Sequence, residues 1–157
     1  MKTIMMIGAF DTKGFEYDFL RREIVRFGHQ VISVDTSVVG SPKGILADIS
    51  SEEVASAAGR SLQDLKDFND RGKAMTFMAE GAAEIARRLF DSKTFDGIIG
   101  MGGSGGSSVV TSAMRALPIG IPKVCVSTVA SGDTSAFVGD KDVTDSAIRR
   151  LIVDAGE

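Results

Sequence analysis

Apolar positions along the chain fall into two rhythms, and their order predicts the elements. After Lys2 and Thr3 the run to Gly8 is almost wholly apolar, as expected of a short parallel strand buried on both faces. It gives way to Asp11, Thr12, Lys13 and Gly14, which read as turn material. Tyr17, Leu20, Ile24 and Phe27 then recur three and four apart, aligning along one side of a helix that Gly28 can end as a C-terminal cap. Val31 to Val34 forms a second strand-like run and empties into Asp35 and Thr36, before a loop carrying Gly40, Pro42 and Gly44. Ser51 followed by Glu53, Val54 and Ala55 suggests a short capped helix. Asn69 or Asp70 caps the next, whose Met75, Met78, Ala82, Ile85 and Leu89 give the strongest helical alternation in the chain. Gly97 to Met101 reads as a third strand, Gly102 to Gly106 as a loop, Ser108 to Leu117 as a helix and Lys123 to Ser127 as a fourth strand. Val143, Ala147, Ile148, Leu151 and Ile152 predict a last amphipathic helix.

Strands alternating with helices imply right-handed crossovers between parallel strands. The expected fold is therefore α/β: a three-layer, doubly wound, mainly parallel sheet of Rossmann-like type with helices on both faces. A strand order of 2-1-3-4 fits that architecture. At 157 residues one domain over 1–157 is expected.

Composition narrows the function. Eighteen Lys and Arg against twenty-one Asp and Glu give a net charge of −3, so no overall positive field attracts nucleic acid. One Cys and one His cannot build a Cys/His metal cage, a disulfide framework or a Cys-X-X-Cys pair. The apolar start is too short for a signal peptide and no segment reaches membrane-spanning length, so a cytoplasmic setting away from membranes is expected.

In a parallel alternating sheet, ligands bind outside the carboxyl ends of the strands. The sharpest post-strand segment is Gly100 to Ser108, GMGGSGGSS. Its glycines let backbone amides approach an anion, and the following helix N-terminus adds partial positive charge, so Gly102, Gly103, Ser104, Gly105, Gly106 and Ser107 are expected to cradle phosphate. Gly100, Gly102 and Gly105 also satisfy G-x-G-x-x-G, which keeps an NAD(P) reading open. Against it, the next strand ends in Ser127 and Thr128 where that motif wants an acid. A P-loop would need a Lys that the run lacks. Lys13 can supply the charge from the first loop, with Thr12 beside it, while Asp11 or Asp133 can hold Mg²⁺. Asp35 is placed to accept from a ribose hydroxyl, with Thr36 next to it, and Ser131 and Gly132 sit on the fourth post-strand segment. His29 and Cys125 read as structural, Met75 and Met78 as core, and Arg71 and Lys73 as surface, with contact to a second phosphate as their less favoured reading.

Taken in order, Asp11-Thr12-Lys13-Gly14, Asp70-Arg71-Gly72 with Met78-Ala79-Glu80-Gly81-Ala82, Gly102 to Gly106, Pro118 with Ile121-Pro122-Lys123, and Val126 to Asp133 form a set. It resembles a largely uncharacterised bacterial, fungal and plant family that includes the tomato mosaic virus resistance protein, an inhibitor of viral RNA replication. The resemblance implies an N-terminal α/β domain that binds ATP with Mg²⁺ and self-associates, followed in most members by a larger C-terminal domain. On this resemblance the chain is expected to carry the first domain without the second. A homo-oligomer, with the last helix as its contact face, and a separate C-terminal-domain protein are the expected partners. Three functions stay open: an ATP-binding domain, an enzyme of slow ATP hydrolysis or phosphoryl transfer, and a regulatory module with structural nucleotide.

Overall fold

A computed structural model of the chain describes residues 1–128 and 144–147. Strands β1 (Thr3–Gly8), β2 (Gln30–Asp35), β3 (Gly97–Gly102), β4 (Lys123–Ser127) and β5 (Thr144–Ala147) form one parallel sheet in the order β2-β1-β3-β4-β5. Five helices connect them: α1 (Phe10–Arg26), α2 (Ser51–Ala57), α3 (Leu62–Asp67), α4 (Arg71–Asp91) and α5 (Ser104–Arg115). The α/β Rossmann-like fold and the order of the first four strands agree with the sequence pattern.

Pleating divides the core into two apolar clusters, one on each face of the sheet. Met5, Ile7, Val34, Ile98 and Cys125 pack with the helices α2 to α5. Met6, between Met5 and Ile7, joins Phe10, Tyr17 and Ile45 on the α1 side. Three layers follow from a period of two. The outer edge of β2 is covered by the chain folding back, with Val34 bridged in parallel to Ile49 and the buried Ser33 hydroxyl donating to Asp48 at 2.9 Å.

Local signals set several boundaries. The Ser50 hydroxyl accepts the Glu53 amide while the Glu53 carboxylate accepts the Ser50 amide, so the cap of α2 is Ser50, one residue before Ser51. Ser61 and Asp64 close the same box around α3, a helix the apolar periodicity did not reveal. Asp70, rather than Asn69, caps α4. Gly28, at φ 84°, ends α1 in the left-handed conformation.

Three expectations are corrected. Asp11 to Lys13 are the first turn of α1, not a loop, with a kink at Lys13. Helix α5 begins at Ser104, inside the glycine run and four residues before Ser108. Thr144–Ala147 is a fifth strand paired with β4, where a helix over Val143–Ile152 is predicted; the open edge of β4 offers a backbone ladder that no local period encodes. The rest of that predicted helix lies outside the described residues, and the expected contact face is strand rather than helix at 144–147.

Candidate functional site

The ends of β1 and β3 diverge because α1 leaves on one face of the sheet and α5 on the other. A cleft of about 920 Å³ opens there. Its walls are the first turn of α1, the segment after β2, the junction of α3 with α4, and the glycine turn that starts α5.

One buried hydroxyl joins the diverging strands. Tyr17 donates to the Ile7 carbonyl at 2.6 Å, lies 2.9 Å from the Met101 carbonyl, and accepts the Met101 amide at 2.6 Å. Burial raises its phenol far above the ordinary range, so it stays protonated and able to donate. The ring fits because Gly8 beneath it has no Cβ, which would collide with the hydroxyl. The peptide thus held at Met101 immediately precedes the glycine turn.

The glycines of that turn divide into two kinds. A Cβ on Gly100 would run into Val110 and the Ile7 carbonyl, and one on Gly102 would lie 2.8 Å from the backbone of Gly106 and Ser107. These two allow α5 to pack closely against β3. Among the described residues, an added Cβ at Gly106 meets nothing within 4 Å, and at Gly103 the Thr128 hydroxyl alone, at 3.8 Å. Neither has a positive φ. Gly106 therefore costs helix stability with no conformational demand and no packing demand from the described residues. Among the described residues, no side chain caps α5 and no acceptor meets the amides of Gly105 and Gly106.

The opposite wall is built differently. Ala9 cannot cap α1, so Asp35 and Ser37 reach in from the end of β2: Asp35 Oδ1 accepts the Phe10 amide at 3.1 Å, and the Ser37 hydroxyl accepts the Asp11 amide at 3.0 Å. Asp35 Oδ1 also accepts the Ser37 amide and hydroxyl. Asp35 is 1% exposed and does not line the cleft, so a ribose contact gives way to a structural one. Burial raises its carboxyl, against the lowering effect of those hydrogen bonds. The folded chain then holds this proton more tightly than the unfolded chain, and acidification through the raised value toward the ordinary 3.8 adds stability from this group. Urea unfolding at pH 7 and pH 4 should show Asp35→Asn losing more stability on acidification than the parent; the reverse order would contradict this.

Charge gathers at the rim. Among the described residues, Lys13, Lys43, Lys66 and Arg71 line the cleft against the carboxylates of Asp11 and Asp70, a positive balance in a chain of net charge −3. Asp11 Oδ2 accepts the Gly40 amide at 3.1 Å, and Asp70 Oδ1 accepts the Lys73 amide at 3.1 Å, which leaves each a second oxygen for other ligands. Among the described residues no group of three or more metal-ligating side chains occurs. One or two carboxylates suit a magnesium ion that arrives on phosphate oxygens and keeps its waters.

Of the residues expected at the site, Asp11, Thr12, Lys13, Thr36, Gly102, Gly103, Gly105 and Gly106 line the cleft. Ser107 does not: its buried hydroxyl lies 2.6 Å from that of Ser127, behind the turn. Ser104 opens α5, and Ser131, Gly132 and Asp133 lie outside the described residues. Lys43, Lys66 and Met75 also line the cleft and are not among the expected site residues, and Arg71, read first as surface, joins them. Arg71 carried a signal, because two cations and no acid in the first turn of α4 oppose the helix dipole. His29 accepts the Lys2 amide at the far edge of the sheet, and Cys125 is buried.

The Uncharacterised protein family (UPF0261) N-terminal domain matches residues 2–152. The chain belongs to this family. Its relatives include a UPF0261 protein of Clostridium tetani, 48% identical over 143 residues, which cover 91% of this chain and 35% of the relative. A UPF0261 protein of Rhizobium meliloti is 40% identical over 144 residues, with the same two shares, 91% and 35%. The ToMV susceptible protein tm-1(GCR26) of Solanum lycopersicum is 36% identical over 154 residues, 89% of this chain and 20% of that protein. The chain thus spans about a third of the length of the bacterial relatives. Among the described residues no helix is long and apolar enough to cross a membrane.

Proposed function

We propose that this UPF0261 domain is a cytoplasmic binding domain for Mg-ATP, with the phosphates on the first turn of α5. The supporting observation is the glycine turn: among the described residues its two amides have no partner and space is open where a Cβ at Gly106 would stand, beneath a cationic rim. Backbone amides at a helix N-terminus are suited to phosphate, and Lys13 and Arg71 add charge from either side. When bound, magnesium would neutralise phosphate charge, with Asp11 as its protein carboxylate. The dinucleotide alternative is less well supported, since Asp35 is buried and occupied and the strand after the glycine turn ends in Ser127. The proposal stops at binding because neither the single His nor the single Cys reaches the cleft.

Calorimetric titration with ATP, with and without Mg²⁺ and with NAD and NADP as controls, tests this reading. Saturable ATP binding strengthened by Mg²⁺ is expected. Lys13→Ala should weaken it about 10-fold, the value of one charge-assisted contact of ~1.4 kcal/mol, and Asp11→Ala should remove most of the Mg²⁺ dependence. Tighter binding of NAD than of ATP, or no ATP binding at all, would overturn the proposal.

A further inference from the structure

The two faces of the sheet are unequally covered. Helices α2 to α5 all pack on the face of Met5, Ile7, Ile98 and Cys125, while among the described residues the opposite face carries α1 alone, set over β1 and β2. Strand pairing brings Ile99 beside Met6 and Val124 beside Ile99, so the period of two turns both side chains to the α1 face of β3 and β4. Both are half-buried. With Leu20, Ile24 and Phe27 from the end of α1 they line an apolar groove of about 560 Å³, separate from the cleft. Its polar side chains among the described residues are Glu23, paired with Arg26 at 3.3 Å, and His29, whose Nδ1 accepts the Lys2 amide. The groove is therefore suited to burying an apolar surface rather than a charged group.

Topology limits what can cover it. Parallel crossovers are right-handed, so connections that step along the sheet in the direction from β2 toward β5 run over one face only. Helices α2 to α4, between β2 and β3, and α5, between β3 and β4, take that face, and the step from β4 to β5 has the same direction. The step from β1 to β2 runs the other way, which puts α1 on the opposite face. On that face β3 and β4 can be covered only by a segment that follows β5 or by another molecule. We propose that the occupant is this chain's own residues 148–157, which lie outside the described residues: Ile148, Leu151 and Ile152, at i, i+3 and i+4, form the apolar side of a helix seated in the groove, with Arg150 on its opposite side. Ten residues of helix extend about 15 Å, close to the roughly 17 Å of the five-residue β4. The inference is independent of the nucleotide reading of the cleft. It gives the groove a partner within the chain and withdraws the last apolar segment from self-association.

Methyl NMR of the full chain tests this, with a second sample of mixed isotope-labelled and unlabelled protein to separate contacts within a chain from contacts between chains. Cross-relaxation is expected from the methyl groups of Leu151 and Ile152 to those of Ile99 and Val124 in the fully labelled sample, and none through the intermolecular filter. Leu151→Asp should lower Tm by roughly 5–10 °C, from the loss of one buried leucine and the insertion of a charge, while Arg150→Glu shifts it by less than about 2 °C. Should Leu151→Asp fail to fold, the contacts in the parent still decide the question. Contacts seen only between chains would give the groove to a second copy and overturn the proposal. Absence of the contacts would leave the groove to a different partner and overturn it as well, whatever the Tm of the variants.

Discussion

Gly106→Val is expected to lower affinity for Mg-ATP by about 100-fold while the protein folds at least as well as the parent. Gly106 lies in the first turn of α5, its φ is not in the left-handed region, and an added Cβ has nothing within 4 Å among the described residues. Glycine is about 1 kcal/mol worse than alanine in a helix and valine is intermediate, so Gly106→Ala should raise stability by up to about 1 kcal/mol and Gly106→Val by less. The loss falls on the ligand. A phosphate in the turn would take charge-assisted hydrogen bonds from the amides of Gly105 and Gly106, each worth roughly 1.5–3 kcal/mol. A branched side chain over those amides denies the approach, and losing one or two such bonds corresponds to about 100-fold. Thermal unfolding without ligand and calorimetry with it separate the two effects. A Gly106→Val protein that binds Mg-ATP as the parent does would show that the turn is not the cradle.

Tyr17→Phe should be the most damaging single-atom change in the core. The substitution keeps the ring, its packing 5.0 Å from Phe10 and its place against Gly8, and removes only the hydroxyl. That oxygen is the acceptor for the Met101 amide and the donor shared between the Ile7 and Met101 carbonyls, in a site from which water is excluded. Each buried group left without a partner costs about 1–3 kcal/mol, and a total of about 2–4 kcal/mol is expected. For a chain of this size that lowers Tm by roughly 5–15 °C. Because Met101 immediately precedes Gly102, the same variant should also weaken nucleotide binding at a temperature where it remains folded. An unchanged Tm would show that β1 and β3 do not depend on this junction.

Much of the architecture was legible in the sequence because it rests on local or periodic signals. The buried runs at β1, β3 and β4, the three-four alternation of α4 from Met75 to Leu89, the left-handed Gly28 and the Asp70 cap are each decided within a few residues. Misread positions depend on groups far away in the chain. Helix α1 starts at Phe10 because Asp35 and Ser37, some 25 residues on, satisfy amides that Ala9 cannot. Helix α5 runs into the glycines because Gly100 and Gly102 let its backbone settle against β3. The strand at Thr144–Ala147 exists through its ladder with β4.

The same division runs through the site. The alternation of elements singles out the carboxyl edge of the sheet, where the cleft lies, and the run from Gly102 to Gly106 marks the strand-to-helix turn there. Only the tertiary structure decides which glycines are structural and which face open space, since that depends on Val110, Ile7 and the path of α5. It also decides that Asp35 and Ser107 are buried and tied to the protein, while Lys43, Lys66, Arg71 and Met75 turn toward the cleft. The physical reason is range: caps, periods and turns act over three or four residues, whereas the meeting of α1, α4 and α5 at one strand edge is set by how the whole sheet packs.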